Sequence, residues 1–424
     1  DDQRKYRSEK ALKKDLKRDP ILLFKQICIE KDIFSESDAE KIEAKIKKQI
    51  DNDTTWAEQQ DHPAKETALK HVYSDEKVKL GSKLTKISDS IVMVDAINHA
   101  LHEEMERNDR MVIYGQDIAD PKGGVFTATK GLSSKFGKGR VFNSQLAESS
   151  IIGTAVGMAV TGYKPVVEIQ FADYIFPAYD QIVNEIAKIR YRSGGEFTTP
   201  ITFRTPAGGG IKGGNHHSQS PEAQFTHTPG IKVVYCSTPN NAKGLLTAAI
   251  ESNDPVIFFE PKRCYRGPFY GDPHNVPTWK GHEKAEVPED YYKIELEKAE
   301  IVQEGTDCTV IAWGAMLHVA EAGIKESGVS CELIDLQTLI PFDKETLVNS
   351  VKKTGRCVIV HEAPKTSGFG AELSASIQEN CFYSLESPII RVTGWDTPFP
   401  HSTEWDYLPN PERIATAIKK TQEE

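Results

Sequence analysis

The sequence predicts an α/β protein in which a helical arm precedes two α/β domains. From about Ser88 onward, short apolar runs typical of buried strands alternate with segments of helical periodicity, as in parallel sheets covered by helices. Residues 1–85 differ, because they are rich in lysine, glutamate and aspartate and carry several helix-start signals. We therefore divide the chain into a helical tail with a linker at 1–85, a first α/β domain at 86–280 and a second at 281–424.

The tail is predicted to contain at least two helices. Asp19 before Pro20 reads as an N-cap followed by a first-turn proline, and an apolar stripe follows them. Ser37 and Glu40 have the spacing of a capping box, again ahead of an apolar stripe. Such stripes predict packing against a larger body. Residues 54–85 are mostly polar and predict a linker or wrapping arm.

The elements of the two domains are predicted in chain order from the same periodicities. In the first domain they are a helix at 92–105, a strand at 111–114, a helix at 149–160, a strand at 166–170, a helix at 175–190 and strands at 201–204, 233–236 and 256–260. Residues 266–300 are rich in proline and lack periodicity, which predicts an inter-domain connection. In the second domain the strands are expected at 308–313, 331–336, 357–360 and 389–392.

Composition excludes several classes of protein. In 424 residues, no apolar run approaches the ~18 residues that a membrane span needs. The net charge of −10 argues against a surface that binds duplex nucleic acid by neutralising phosphates. The seven cysteines are an odd number without a CxxC pair, so neither a disulfide framework nor a zinc ribbon is indicated. We expect a reducing compartment, the cytoplasm.

Glu148 is the most informative acidic residue. It follows a predicted strand and a polar tip, and it begins a helix of small, uncharged residues. From this pattern alone, the simpler interpretation is an acid placed favourably at a helix N-terminus, which contributes a few tenths to about 1 kcal/mol. The alternative is a partly desolvated carboxyl group that binds a heteroaromatic cofactor.

Two histidines follow a glycine-rich loop. His216 and His217 are neighbours, so their side chains diverge, and the spacing of a zinc site is missing. An acid/base or substrate-orienting histidine fits a positioned loop better, because imidazole transfers protons near neutrality. A structural histidine is the alternative. The glycines at 208–214 fit neither GxxxxGK[ST] nor GxGxxG after a strand, so they are weak evidence for phosphate binding.

Aromatic and polar residues mark the next strand-to-helix junction. Phe171 and Phe176 are expected to pack in the core. Gln170 and Tyr174 have polar tips and are better candidates for lining a site.

Several of these segments resemble the beta subunit of thiamine-diphosphate-dependent 2-oxo acid dehydrogenases, most of all the branched-chain (2-oxoisovalerate) type. The resemblance covers about residues 88–424 and is carried by Glu148 in its setting and by segments 167–185, 191–194, 217–222, 258–262 and 394–400. It implies a pyrimidine-binding parallel-sheet domain followed by a transketolase C-terminal-like domain.

The tail resembles the C-terminal tail of the alpha subunit of the same enzymes, through residues 6–8 and 18–20 and the helices that follow. An alpha tail followed by a beta subunit is the order expected of a fused, single-chain component. In that family a histidine- and serine-rich active-site loop precedes such a tail, so we expect Asp1 to lie just past it. This predicts a fragment or nicked product of a longer fusion.

The resemblance implies roles for five residues. Glu148 would hydrogen-bond the aminopyrimidine ring of thiamine diphosphate from a buried site. Leu146, Gln170 and Tyr174 would line the pyrimidine pocket. His217 would serve the transfer of the acyl group to lipoamide. The implied reaction is the oxidative decarboxylation of a 2-oxo acid.

The resemblance also implies metal ions. The family binds diphosphate and magnesium through a Gly-Asp-Gly segment and an asparagine of the alpha subunit, and this sequence has no such segment. Magnesium ligands are therefore expected in the alpha-type part.

A potassium site of beta subunits would map near Ile201, Thr202, Ala249, Ser252 and Asp254. An acidic ligand expected from the family falls at Ser252, so the ligand set departs from the family pattern.

The leading hypothesis is the decarboxylating component of a branched-chain 2-oxo acid dehydrogenase. Its expected partners are the alpha-type portion of the fusion, a second copy in a dimer of fusions, and the lipoyl and subunit-binding domains of a dihydrolipoyl acyltransferase. A pyruvate or acetoin dehydrogenase component is the nearest alternative, because the alpha part selects the acyl chain. A non-catalytic assembly module is an alternative of a different class.

Overall fold

The computed structural model of the chain describes residues 2–80, 87–266 and 285–423. The chain divides into two compact units, Asp1–Ala68 and Leu69–Glu424. No helix among the described residues is long and apolar enough to cross a membrane.

The first unit is helical, as predicted. Its α-helices are α1 (Glu9–Leu16), α2 (Pro20–Glu30) and α3 (Glu36–Glu58). Asp19 caps α2 as predicted, because its Oδ1 accepts a hydrogen bond of 2.8 Å from the backbone N–H of Ile21. The packing predicted for the apolar stripes of α2 and α3 stays a prediction.

The capping box of α3 was predicted at the wrong residues. Ser35, not Ser37, is the N-cap, and its Oγ accepts from the N–H of Asp38 while the carboxylate of Asp38 accepts from the N–H of Ser35. The box therefore begins two residues earlier than the Ser37 and Glu40 pattern indicated. The predicted polar linker also begins too early, since α3 continues to Glu58; residues 81–85 of that linker lie outside the described residues.

The second unit begins with the elements of the first predicted domain. In chain order they are β1 (Ile87–Ile91), α4 (Met93–Arg107), β2 (Met111–Gly115), α5 (Leu132–Phe136), β3 (Val141–Asn143), α6 (Glu148–Val160), β4 (Lys164–Glu168), α7 (Ala187–Arg192), β5 (Thr202–Ala207), α8 (Glu222–Thr226), β6 (Lys232–Tyr235), α9 (Pro239–Glu251) and β7 (Val256–Pro261).

The remaining elements follow the undescribed segment 267–284. They are β8 (Ala285–Pro288), β9 (Glu300–Gln303), β10 (Cys308–Ala312), α10 (Ala315–Ser327), β11 (Cys331–Asp335), β12 (Thr338–Ile340), α11 (Lys344–Thr354), β13 (Cys357–Pro364), α12 (Phe369–Cys381), β14 (Ile390–Gly394), α13 (Glu404–Tyr407) and α14 (Pro411–Glu423).

Two mostly parallel sheets organise this unit, which confirms the predicted α/β class. Among the described residues, the first sheet has the strand order β12-β6-β7-β5-β4-β2-β3 and the second has the order β14-β13-β10-β11-β9. β12 and β9 are antiparallel to their neighbours at one edge of each sheet. β1 and β8 form a separate antiparallel pair.

β12 was not predicted, and it joins the first sheet although it follows strands of the second. Thr338 lies opposite Val234 of β6, and the N–H of Tyr235 donates to the carbonyl of Gln337 at 2.8 Å. The predicted connection at 266–300 also contains a paired strand, β8, in its described part, and β9 begins at its last residue. The domain bounds of 1–85, 86–280 and 281–424 stay predictions.

Apolar side chains cover both faces of each sheet, because successive strand residues point to opposite faces. Val166 lies in one apolar cluster and Val167 in the other, and Phe258 and Ile257 divide in the same way. Strands that are buried on both faces read as continuous apolar runs, and this is why the sequence predicted them well.

The helix predicted at 175–190 is divided into shorter turns. Two 3₁₀ turns, Ala172–Tyr174 and Phe176–Ala178, precede a π-helical turn at Gln181–Ile186 and then α7. Pro177 lies in the second turn, and a proline has no N–H to donate to the helix.

Candidate functional site

Three neighbouring strands of the first sheet end at the same edge. Gly115 at the end of β2 lies opposite Asn143 of β3 and Glu168 of β4. In parallel sheets, sites form outside the carboxyl ends of the strands. The residues that follow these strands are the ones for which a site was predicted.

Glu148 is the first residue of α6, and it is half-buried in this chain. The buried Gln116, just after β2, donates from Nε2 to Oε1 of Glu148 at 2.9 Å. No hydrogen bond from the described residues engages Oε2. Glu148 thus presents one free oxygen at the sheet edge, with less burial than the resemblance implied.

Gln170 lies beside this pair. Its Nε2 donates to Oδ2 of Asp117 at 3.0 Å and lies 3.4 Å from the carbonyl oxygen of Gln116. The structure therefore brings Glu148 and Gln170 together through residues 116 and 117. Sequence reasoning missed Gln116 and Asp117 as site residues, although their place directly after a buried strand was an available signal.

Tyr174 and His217 are in direct contact. The phenol oxygen of Tyr174 lies 2.7 Å from Nε2 of His217, and either group is able to donate. The ring of Phe171 meets the imidazole edge to face, with centroids 4.6 Å apart. Phe171 is buried, as predicted, but it also packs against a candidate site residue.

His217 belongs to residues 208–219, which we call the histidine loop. Oδ1 of Asp173 accepts from the backbone N–H groups of Ser218 at 3.3 Å and Gln219 at 3.2 Å. The N–H of Gly208 donates to the carbonyl of Gln219 at 3.0 Å and closes the loop. These contacts hold the loop against the junction that carries Tyr174.

Two carboxylates from the second half of the unit also hold the histidine loop. Oε2 of Glu362 accepts from the N–H of Gly209 at 2.9 Å, and both carboxylate oxygens of Glu404 lie 3.2 Å from the N–H of Lys212. Burial raises the pKa of both acids, and these backbone donors partly oppose the rise. Sequence reasoning missed both, because they lie far along the chain from the loop and no local pattern marks them.

Lys262 is a buried cation near the same aromatic group. Its Nζ lies 5.5 Å from the ring centroid of Phe171 and 3.5 Å from the carbonyl oxygen of Pro206. Burial lowers the pKa of Lys262 to about 8, although the carboxylates of Asp173 and Glu362 partly oppose the shift. An amine with such a pKa exchanges protons near neutrality.

A buried ion network fixes the strands behind the site. Arg204 on β5 binds Glu260 on β7 at 2.7 and 2.9 Å and Glu168 on β4 at 2.9 Å. The hydroxyl of Tyr265 donates to Glu260 at 2.6 Å. All four side chains are buried, so the network fixes the relative positions of three strands.

The structure does not bring the other predicted residues into this group. Leu146 lies in the turn before α6 with 82% of its surface exposed, so its role in a pyrimidine pocket stays a prediction. His216 is exposed, and no group of three or more His, Cys, Asp or Glu residues in the described part of the chain has metal-site geometry.

Two of the predicted potassium ligands, Ile201 and Asp254, are engaged by protein donors. The carbonyl of Ile201 accepts from the N–H of Val256 at 2.9 Å. The carboxylate of Asp254 binds the N–H of Ser74 at 2.7 Å and the ammonium of Lys232 at 3.1 Å. Thr202 is buried within β5. An ammonium group already neutralises the one acidic member of the set.

Family models cover most of the chain. Residues 89–268 match the transketolase pyrimidine binding domain, and residues 297–414 match the transketolase C-terminal domain. Residues 1–66 match the dehydrogenase E1 component. The implied order of an alpha-type tail, a pyrimidine-binding domain and a transketolase C-terminal domain is confirmed.

Relatives and a solved structure agree with these matches. The chain is 54% identical to 2-oxoisovalerate dehydrogenase subunit beta of Pseudomonas aeruginosa over 79% of this chain and 95% of that protein. It is 46% identical to the pyruvate dehydrogenase E1 component subunit beta of Acholeplasma laidlawii over 78% of this chain and 97% of that protein. A split-gene transketolase, solved as an inactive beta4 tetramer, shares the fold with a TM-score of 0.60 and 22% identity, over 78% of this chain and 98% of that one. The chain therefore belongs to the beta-subunit family of 2-oxo acid dehydrogenases.

Proposed function

We propose that this chain forms one half of the active site of a branched-chain 2-oxo acid dehydrogenase. The reaction is the oxidative decarboxylation of a 2-oxo acid such as 2-oxoisovalerate with thiamine diphosphate, followed by transfer of the acyl group to a lipoyl domain. Two contacts carry the proposal: Glu148 and Gln170 meet through residues 116 and 117, and Tyr174, four residues after Gln170, contacts His217. The identity of 54% to a 2-oxoisovalerate dehydrogenase beta subunit supports the branched-chain substrate.

The geometry fits the pyrimidine half of the cofactor. Oε2 of Glu148 faces no donor among the described residues, and it is available to share a proton with a nitrogen of an aminopyrimidine ring. Gln116 fixes the other oxygen of Glu148, so the carboxyl group is oriented before the ring binds. When bound, thiamine diphosphate supplies the electron sink that decarboxylation needs.

We assign the acyl-transfer step to His217. The hydrogen bond of 2.7 Å to Tyr174 fixes the orientation of the imidazole and leaves Nδ1 to move a proton. Lys262, whose Nζ lies 5.5 Å from the ring centroid of Phe171, would add positive charge for an anionic 2-oxo acid bound beside the same ring.

The remaining ligands and partners belong to the same proposal. An alpha-type portion would hold the diphosphate and magnesium, since this sequence has no Gly-Asp-Gly segment. The assembly would contain two alpha-type and two beta-type parts and would bind the lipoyl and subunit-binding domains of a dihydrolipoyl acyltransferase. All seven cysteines are free and buried, which supports a reducing compartment such as the cytoplasm. A potassium ion at Ile201, Thr202 and Asp254 remains a prediction from the resemblance, although Asp254 already binds the N–H of Ser74 and the ammonium of Lys232.

The test is substrate preference in the assembled enzyme. The chain is combined with its alpha-type portion, magnesium and thiamine diphosphate, and the release of carbon dioxide is compared for 2-oxoisovalerate and pyruvate. Cleavage of acetoin, which has no carboxyl group to lose, is followed separately by the formation of acetaldehyde. We expect 2-oxoisovalerate to have the highest kcat/KM. Faster turnover of pyruvate would favour the pyruvate dehydrogenase alternative, which the identity of 46% to a pyruvate dehydrogenase beta subunit keeps open.

Calorimetry separates the half-site from a non-catalytic assembly module. We expect the chain alone to bind thiamine diphosphate weakly with magnesium, and we expect tight binding once the alpha-type portion is added. Tight magnesium-dependent binding by the chain alone would contradict the division of the site. Unchanged weak binding in the presence of the alpha-type portion would favour the assembly module.

A further inference from the structure

Lys164 reaches from the start of β4 to the C-terminal end of α9. Its Nζ donates to the backbone carbonyl oxygens of Ile250 at 3.0 Å, Glu251 at 2.7 Å and Ser252 at 3.4 Å. An ammonium group has three donors, and these three carbonyls match them in number. The contact therefore resembles the coordination of a small cation by backbone oxygens.

A cation at this position stabilises the C-terminal end of α9. The last carbonyls of a helix have no partner within the helix and carry the negative end of its dipole. The N–H of Ser252 satisfies the carbonyls of Ala248 and Ala249, at 3.0 and 3.3 Å. The ammonium of Lys164 donates to the next two carbonyls, those of Ile250 and Glu251, and Lys164 is half-buried there.

The surrounding charges support a cation at this position. Glu251 and Glu104 both favour the charged form of Lys164, against the effect of burial, which lowers its pKa. Glu251 also binds the ammonium of Lys293 at 2.6 Å and the hydroxyl of Tyr291. The helix end is thus held by side chains of this chain.

The same helix end carries ligands predicted for potassium. Ser252 belongs to both sets: its carbonyl is one of the three that Lys164 contacts, and its side chain replaces an acidic ligand expected from the family. Asp254 is paired with Lys232 at 3.1 Å. A potassium ion bound by Ser252 and Asp254 would lie close to the ammonium groups of Lys164 and Lys232, and like charges repel each other.

We infer that the ammonium of Lys164 takes the place of a monovalent cation in this chain, as a tethered cation that joins the end of α9 to the start of β4. The stability of the protein is then independent of potassium. The three backbone carbonyl groups at 250–252 bind a small free cation only when the ammonium of Lys164 is removed.

The test compares the melting temperature of the full chain in potassium chloride and in choline chloride at equal ionic strength. We expect the wild type to melt at the same temperature in both salts. Lys164→Ala is expected to melt a few degrees lower in choline chloride, and potassium or methylammonium chloride is expected to restore part of the loss. Lys188→Ala is the control, because Lys188 is an exposed lysine whose Nζ donates to Oδ1 of the nearby Asn184 at 2.8 Å.

Three results would overturn the inference. The first is a saturable, potassium-specific rise in the melting temperature of the wild type, which would show a bound ion beside Lys164. The second is an unchanged melting temperature in Lys164→Ala. The third is a loss in Lys164→Ala that neither cation restores, because the carbonyls would then not form a cation site. If Lys164→Ala does not fold, the wild-type melting temperatures in the two salts still show whether potassium stabilises the protein. Lys164→Arg, which keeps the positive charge, is expected to fold without potassium.

Discussion

Tyr174 and His217 lie 43 positions apart in the sequence, yet the phenol oxygen of one is 2.7 Å from Nε2 of the other. The edge-to-face contact with Phe171 restrains the same imidazole from a second side. The orientation of His217 is therefore set by the strand-to-helix junction that also carries Gln170. A histidine held in this way is prepared to move a proton without first changing its rotamer.

Tyr174→Phe is expected to separate decarboxylation of the 2-oxo acid from transfer of the acyl group to the lipoyl domain. The variant keeps the ring and loses one hydrogen bond, which contributes about 1 kcal/mol, so we expect acyl transfer to a lipoyl domain to fall about five- to tenfold. Decarboxylation measured with an artificial electron acceptor is expected to change much less. His217→Asn is the matched comparison, with a larger loss of transfer. Equal losses in both assays would contradict the role assigned to the pair.

Glu148→Gln tests the pyrimidine contact. The amide cannot exchange the proton that the carboxyl group does, so we expect decarboxylation by the assembled enzyme to fall by about 100-fold or more. Assembly with the alpha-type portion, measured by size-exclusion chromatography, should be unchanged. Glu185→Gln is the control, because Glu185 pairs with Arg192 on the surface of the same domain. Retained decarboxylation in Glu148→Gln would exclude the assigned role.

Glu404→Ala tests the attachment of the histidine loop. The change removes the acceptor for the N–H of Lys212, and Lys212 itself is exposed. We expect limited trypsin digestion, followed by mass spectrometry, to show cleavage after Lys212 several-fold faster than in the wild type. Glu412→Ala, at an exposed glutamate of α14, should leave that rate unchanged. An unaltered rate in Glu404→Ala would mean that the other contacts suffice to hold the loop.

Glu222→Gln tests a buried carboxyl group beside the same loop. Burial raises the pKa of Glu222 from 4.5 to about 8, and the carboxylate of Glu362 adds to the rise, whereas a hydrogen bond from Trp313 opposes it. The folded state then binds a proton that the unfolded state releases, so wild-type stability falls as the pH rises from about 4.5 to about 8. Glu222→Gln has no carboxyl group that titrates at this position, so its stability does not fall with pH for this reason.

The expected result is a melting temperature of Glu222→Gln that gains on the wild type between pH 5 and pH 8. Thermal unfolding at several pH values in that window provides the measurement, with Glu412→Gln as the exposed control. A difference between variant and wild type that is the same at every pH would show that Glu222 does not titrate across this window.

Arg204→Met tests the ion network behind the site. The carboxylates of Glu168 and Glu260 would stay buried without their partner, and breaking a buried pair in this way costs about 3–5 kcal/mol. Arg192→Met is the matched control, because it removes an exposed pair with Glu185 that contributes about 0–1 kcal/mol. Urea unfolding measures the loss of unfolding free energy in both variants. Similar losses in the two variants would mean that the buried network is stabilised by something other than Arg204.

The sequence predicted those parts of the fold that depend on local pattern. Continuous apolar runs located the buried strands, and the start of a helix of small residues located Glu148. Gln170 and Tyr174 were recognised because a polar tip on an otherwise apolar segment near a strand end is unusual.

The parts that were missed depend on contacts between distant segments. Glu362 and Glu404 hold the histidine loop from more than 140 positions away, and no periodicity marks an acid that accepts from a distant backbone N–H. Lys164 lies just before the predicted strand at 166–170 and was not singled out, since nothing local shows that its ammonium reaches the end of α9. The capping box was placed two residues late because Ser35 and Ser37 both offer an acceptable spacing.

The pairing of β12 with β6 has a consequence for the order in which the protein folds on the ribosome. β6 has β7 on one side, and its other side is paired by residues 337–340. Until that segment leaves the exit tunnel, a nascent chain that already contains every other strand of the first sheet exposes an open edge able to pair with another chain. Completion of the pyrimidine-binding half therefore waits for synthesis of part of the C-terminal half.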